Sequence, residues 1–221
     1  MQKLEKTGWM RIFIVDDHPV MRRGLGHVID SLPDMQLAGE AAQAEEALEK
    51  IEQAAPDLVL VDISLGDRSG IELIKELRSR YDSIKILVLS MHDESLYAER
   101  SIRAGALGYV HKNAPTESLV EGMRKALAGE IVLSPKIANQ MLRRAARRDQ
   151  PISSPVETLS DRELEVFALI GEGLITKQIA AQLNLSTKTI ETYRENIKAK
   201  LDLKNGSELM RNAVQWVLER G

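Results

Sequence analysis

The sequence predicts an α/β domain wound on both faces of a five-stranded parallel sheet, followed by a separate all-α domain of four helices. Three observations carry that prediction. Short β-branched apolar runs alternate with helical patterns through residue 128, three of those runs are apolar throughout, and no strand pattern appears beyond residue 159. Strands that alternate with helices form βαβ units, and a parallel sheet covered on both faces asks for unbroken apolar strands.

Taken in order, the expected strands cover 11–16 (RIFIVD), 36–39, 58–62 (LVLVD), 85–90 (KILVLS) and 108–111 (GYVH). Helices are expected between them. The first, 19–32, opens on Pro19, at the one turn of a helix where a missing N–H costs nothing. An alanine- and glutamate-rich stretch at 44–54 follows, then 70–80, 95–104 and 116–128. This is a flavodoxin-like doubly wound arrangement. Segment 135–148 (PKIANQMLRRAARR) reads as a basic helix, and the two prolines and two serines of DQPISSPVE mark an exposed linker. Four helices close the chain, at 161–172, 177–183, 187–201 and 207–218. The expected domains are therefore 10–128, a linker at 129–157, and 158–221.

Composition narrows the function classes. A chain of 221 residues that is 43% hydrophobic and 29% charged suits two globular domains. No apolar run approaches the roughly 20 residues of a membrane span, and the first ten residues do not lead into a secretory leader, so a cytoplasmic protein without membrane association is expected. The absence of cysteine excludes disulfides, thiolate metal ligands and thiol nucleophiles. Residues 1–135 hold 16 Lys and Arg against 22 Asp and Glu, a net of −6; residues 136–157 carry +3 and residues 158–221 are neutral. An acidic first domain disfavours direct contact with nucleic acid, and any DNA contact by the second must rest on local charge placement.

In a doubly wound sheet, ligands sit beyond the carboxyl ends of the strands, where the strand order reverses. That edge collects Asp16 and Asp17 after the first strand, Asp62 after the third, Ser90 at the end of the fourth and Lys112 after the fifth. Three clustered carboxylates repel unless a hard divalent cation joins them, and Mg²⁺ suits so few protein oxygens. Cation and ammonium together complement a phosphoryl group, with Asp62 as nucleophile. Each of these residues alone reads as an ordinary solvated strand end; the ordered set is the specific signal.

On that set, residues 11–128 resemble a receiver domain of a two-component system. The resemblance implies that a histidine kinase phosphorylates Asp62. It implies that Asp17 ligates Mg²⁺ directly, that Asp16 acts through water, and that the backbone carbonyl of Ser64 completes the shell. Lys112 would hold phosphoryl oxygens, the Ser90 hydroxyl would swing toward them, and Tyr109 would follow inward. The sequence departs from the receiver pattern after Asp62, where Ile63-Ser64-Leu65-Gly66 replaces the frequent Met-Pro pair. Ser64 and His92 stand where receivers tune attack by water and are candidates to set the lifetime of the phosphoryl group.

Segment 176–201 (TKQIAAQLNLSTKTIETYRENIKAKL) reads as helix, tight turn, helix, with Ser186 or Thr187 capping the second. That second helix buries Ile190, Ile197 and Leu201 and turns a mixed-charge face outward. A plain four-helix bundle with a solvated face is the alternative. The Leu-Ser-x-Arg-Glu opening, the glycine break before Lys177 and the Ser-Thr-Lys-Thr-Ile helix start resemble LuxR-type helix-turn-helix domains, with Tyr193 where a histidine is frequent. Candidate contacts to double-stranded DNA are Lys177, Thr187, Lys188, Thr189, Glu191, Thr192, Tyr193, Arg194, Glu195 and Lys198. The two resemblances together identify the chain as similar to NarL/FixJ-type response regulators, which implies a transcription regulator, not a turnover enzyme, that slowly dephosphorylates itself at most and pairs as a homodimer on phosphorylation or on DNA. A haloacid-dehalogenase-type phosphatase would need a second acid two residues after its nucleophile, and Ser64 stands there. A phosphorylation-independent scaffold is the other rival.

Overall fold

The computed structural model describes residues 8–66, 68–146 and 155–218, and the chain divides into two compact units, 1–145 and 146–221. The first unit runs β1 (Met10–Val15), α1 (Pro19–Asp30), β2 (Met35–Ala41), α2 (Ala44–Ala54), β3 (Leu58–Val61), β4 (Ser64–Leu65), β5 (Arg68–Ser69), α3 (Gly70–Arg80), β6 (Lys85–Ser90), α4 (Glu94–Ala104), β7 (Gly108–His111), α5 (Thr116–Leu127) and α6 (Pro135–Ala146), whose last residue marks the division. Five strands form one sheet in the order β2-β1-β3-β6-β7, every pair parallel, as expected. The order reverses between β1 and β3, so the connections leaving their carboxyl ends go to opposite faces and leave a crevice.

Period-two alternation sorts the strands onto two cores. Ile12, Ile14, Leu58, Leu60, Leu87 and Leu89 pack with Leu25 and Ile29 of α1 and Leu119 and Met123 of α5. The intervening residues Phe13, Val15, Val59, Val61, Ile86 and Val88 are equally buried on the other face, with α2, α3 and α4 against the sheet or one another. Each such side chain contributes about 1.5–3 kcal/mol by leaving water, which holds the strand ends in fixed register.

Directly after Asp62 the chain forms a two-residue antiparallel hairpin, β4 against β5, turning at Gly66 with a φ of 64°, a left-handed value natural to glycine. Arg68 anchors it, donating to Glu45 of α2 at 2.9 Å and to Glu76 of α3 at 3.1 Å. Gly70 then closes the loop by donating to the Ile63 carbonyl at 2.7 Å. A Cβ on Gly70 would overlap the Asp62 carbonyl oxygen, so only glycine fits there.

The region 129–157, expected as a linker with a basic helix, carries Val132 bridged beside Gly108, then α6, and a 3-10 turn at Pro155–Thr158. Ile137 of α6 is buried. Residues 147–154, including the last two of the expected basic helix, lie outside the described residues.

In the second unit the four helices are α7 (Asp161–Gly171), α8 (Thr176–Gln182), α9 (Thr187–Lys200) and α10 (Gly206–Leu218). Ser160 and Glu163 cap α7 reciprocally, side chain to backbone in both directions. Leu164, Phe167, Ile179, Ile190, Ile197, Leu209 and Trp216 are buried, with the Phe167 and Trp216 rings 5.4 Å apart. Asn184, at a φ of 53°, turns the chain between α8 and α9, and Ser186 caps α9 by accepting from the Thr189 N–H at 3.0 Å.

Candidate functional site

The carboxyl edge of the sheet brings the predicted acidic residues together. Main-chain pairing fixes their bases: Asp62 N–H donates to the Val15 carbonyl at 2.9 Å, Asp16 N–H to Ala41 at 3.1 Å, and Lys112 N–H to Ser90 at 2.9 Å. Lys112 then reaches back across the crevice, its Nζ 2.7 Å from Asp16 Oδ2 and 2.6 Å from Asp62 Oδ2. Asp16, Asp62 and Ser90 are all buried.

One ammonium shared between two buried carboxylates cannot satisfy both. Burial pushes the Asp62 carboxyl above its usual range; Lys112 opposes this, while Asp16 adds to it. Burial pulls Lys112 the other way, but Asp62 and Asp16 outweigh it and hold the ammonium above its ordinary value. The Asp62 carboxylate is therefore a desolvated anion short of positive charge, the condition that a bound cation relieves.

Asp16, Asp17, His18 and Asp62 each offer a ligand atom within 4.8 Å of the others. Asp17 Oδ1 is buried and accepts no hydrogen bond, although His18 Nδ1 lies 2.7 Å away. A buried carboxylate oxygen that accepts no hydrogen bond, beside two further carboxylates, fits a hard cation with oxygen ligands, and receiver domains generally bind Mg²⁺ in this pocket. His18 was not singled out from sequence; its place directly after the Asp16-Asp17 pair is the signal that could have found it.

The remaining predicted residues surround this cluster. Ser64 is half-buried at the start of β4, and its hydroxyl lies 2.8 Å from His92 Nε2. His92 N–H approaches Ser90 Oγ at 3.3 Å, and the buried Tyr109 donates its hydroxyl to the His92 carbonyl at 2.6 Å. Tyr109 is packed inward, and burial holds its phenol well above the usual range. His92 thus touches the loop after Asp62, the end of β6 and β7 at once.

On the second unit, Lys177, Thr187, Lys188, Glu191, Thr192 and Glu195 are exposed, whereas Thr189, Tyr193, Arg194 and Lys198 are half-buried. Arg194 Nε lies 3.7 Å from Glu191 Oε2 and Lys198 Nζ 2.9 Å from Glu195 Oε1. Each pair joins a half-buried cation to an exposed carboxylate three residues away on the same helix, and such surface pairs are worth little, so these cations can exchange a carboxylate for a phosphate. Thr176, not singled out from sequence, donates to Glu191 Oε1 at 2.7 Å. Among the described residues no helix is long and apolar enough to cross a membrane.

Comparison with known proteins assigns each unit to a family. Residues 12–124 match the response regulator receiver domain, and residues 157–213 match the bacterial regulatory proteins of the luxR family. The oxygen regulatory protein NreC of Staphylococcus carnosus (strain TM300) is 34% identical over 211 residues, covering 93% of this chain and 97% of that protein. Among solved structures, a LuxR-family two-component response regulator from Aurantimonas sp. SI85-9A1 is 35% identical, with a TM-score of 0.58 over 62% of this chain and 99% of that one. The response regulator ChrA of a heme-sensing two-component system is 30% identical, with a TM-score of 0.51 over 95% and 98% of the two chains. A receiver sheet with its acidic crevice, followed by a luxR-family helix-turn-helix, places this chain in the NarL/FixJ-type response regulators, DNA-binding transcription regulators of two-component systems.

Proposed function

We propose that Asp62 is the phosphoacceptor of this regulator and that its phosphorylation by a histidine kinase controls DNA binding by α8 and α9. The observation that carries the proposal is the buried Asp62 carboxylate, 2.6 Å from Lys112 Nζ and grouped with Asp16 and Asp17 at one strand edge. An Asp62 carboxylate oxygen would attack the phosphorus of a phosphohistidine, forming the P–O bond as the P–N bond breaks and the imidazole leaves with the electron pair. Mg²⁺, held by Asp17, by Asp62, by the Ser64 carbonyl and through water by Asp16, would supply charge neutralisation at the phosphoryl oxygens. Lys112 would exchange its carboxylate contacts for those oxygens, and Ser90 would turn its hydroxyl to them.

Because Ser90, His92 and Tyr109 are linked, a turn of Ser90 would be felt at the α4/β7 surface. We infer that the response is pairing of two chains, so that two DNA-binding units occupy two half-sites in the cytoplasm. The exposed row Met210, Val214 and Leu218, at four-residue spacing on α10, is an apolar stripe of the kind a second copy covers. Phosphate incorporation tests the acceptor: with a small phosphodonor and Mg²⁺ the native chain should gain one phosphoryl mass and Asp62→Asn none. Equal incorporation by both would remove Asp62 from the mechanism.

A further inference from the structure

Glu191 is an unusual group to aim at a polyanion. It sits one residue past the buried Ile190, on the exposed side of α9, with Lys188 one turn before it and Glu195 one turn after. A carboxylate on that face is repelled by phosphates, so on DNA it is favoured where a base edge offers it a donor. In the major groove, guanine and thymine present acceptors to such a group, and adenine sets its N7 acceptor beside its amino group; cytosine N4 is the donor a single carboxylate takes.

The carboxylate is not left to sweep through its rotamers. Thr176, the first residue of α8, donates its hydroxyl to Glu191 Oε1 at 2.7 Å, and Arg194 Nε stands 3.7 Å from Oε2. Both oxygens keep lone pairs for a further donor. Glu191 is 55% exposed in its side chain, so a base edge can reach it without displacing the threonine.

We propose that Thr176 is a positioning residue that fixes the Glu191 carboxylate toward a cytosine amino group, making C·G the preferred base pair at that point of each half-site. The proposal rests on the second unit binding DNA, and it adds which base pair one side chain reads and what aims that side chain. The Thr176 hydroxyl, not its methyl group, makes the contact.

Selection of full-length protein on randomised duplexes tests it, with native chain, Thr176→Val, Thr176→Ser and Glu191→Gln run together and thermal melting recorded for each. The native chain should enrich cytosine at one position per half-site. Thr176→Val, of equal shape but without a donor, should lower that preference about tenfold, whereas Thr176→Ser should keep it. Glu191→Gln should move the preference toward adenine, which a glutamine pairs bidentately; lying on the exposed surface, it decides the point even if Thr176→Val fails to fold. Identical motifs for the native chain and Thr176→Val, equal loss in Thr176→Ser and Thr176→Val, or a base preference that Glu191→Gln leaves untouched would each overturn the inference alone. A native chain that enriches no sequence would overturn the DNA-binding assignment, and the inference with it.

Discussion

At Asp62, burial and charge pull against each other, and the balance depends on which neighbours reach it. Lys112 serves Asp62 and Asp16 at once, so neither carboxylate is fully compensated until a cation or a phosphoryl group redistributes the contacts. The strand-end positions of Asp16, Asp17, Asp62, Ser90 and Lys112 were legible because a parallel sheet puts every carboxyl end on one edge. Lateral contacts were not legible: Ser64 and His92 are 28 residues apart, and only the folded loops bring Oγ and Nε2 to 2.8 Å. That contact joins the loop after Asp62 to the end of β6. Ser64→Ala and His92→Ala should each admit water more freely and shorten the life of the phosphoryl group several-fold, as timed by loss of phosphate from isolated phosphoprotein; unchanged half-lives in both would show that the pair does not govern hydrolysis.

Among elements, the loop after Asp62 and the cap of α7 illustrate what sequence patterns reveal. The missing proline left the conformation of that loop open. In the structure β4 and β5 pair, Gly66 turns the chain and Arg68 pins the hairpin to α2 and α3. Two-residue strands carry no periodicity, so nothing in the sequence announced them. Helix α7 is the opposite case, since Ser160 and Glu163 stand at the spacing of a capping box. Burial pushes the Glu163 carboxyl up, but Lys200 at 2.6 Å and the Ser160 donors outweigh it and hold the group below its ordinary value. A carboxylate so depressed stabilises the fold above the unfolded value, and that stability disappears as pH falls through the folded one. The melting temperature of Glu163→Gln should therefore change less than that of the native chain as pH falls from about 5 to 3. Parallel curves would remove Glu163 from the acid response. Ser160→Ala, which loses one side of the cap, should cost about 1 kcal/mol in denaturant unfolding.

For the whole molecule, two units of different architecture divide sensing from output. The net charge of −6 over residues 1–135 and the neutral tally over 158–221 match an acidic cluster in the first unit and a luxR-family helix-turn-helix of mixed charge in the second. Fold class was readable throughout because strand and helix periods change sharply after residue 128, and both resemblances survive comparison with known proteins. The individual DNA contacts were less readable, because α9 is a mixed-charge helix whose cations pair with its own carboxylates. The central claim is that phosphate on Asp62 changes how the second unit holds DNA. Its most direct measurement is the affinity of the full chain for a selected duplex, with and without a small phosphodonor and Mg²⁺, beside Asp62→Ala. Binding should tighten with phosphodonor in the native chain only, and sedimentation should show two chains per duplex; the same affinity in all conditions would mean that the first unit is a scaffold and that phosphorylation is not the switch.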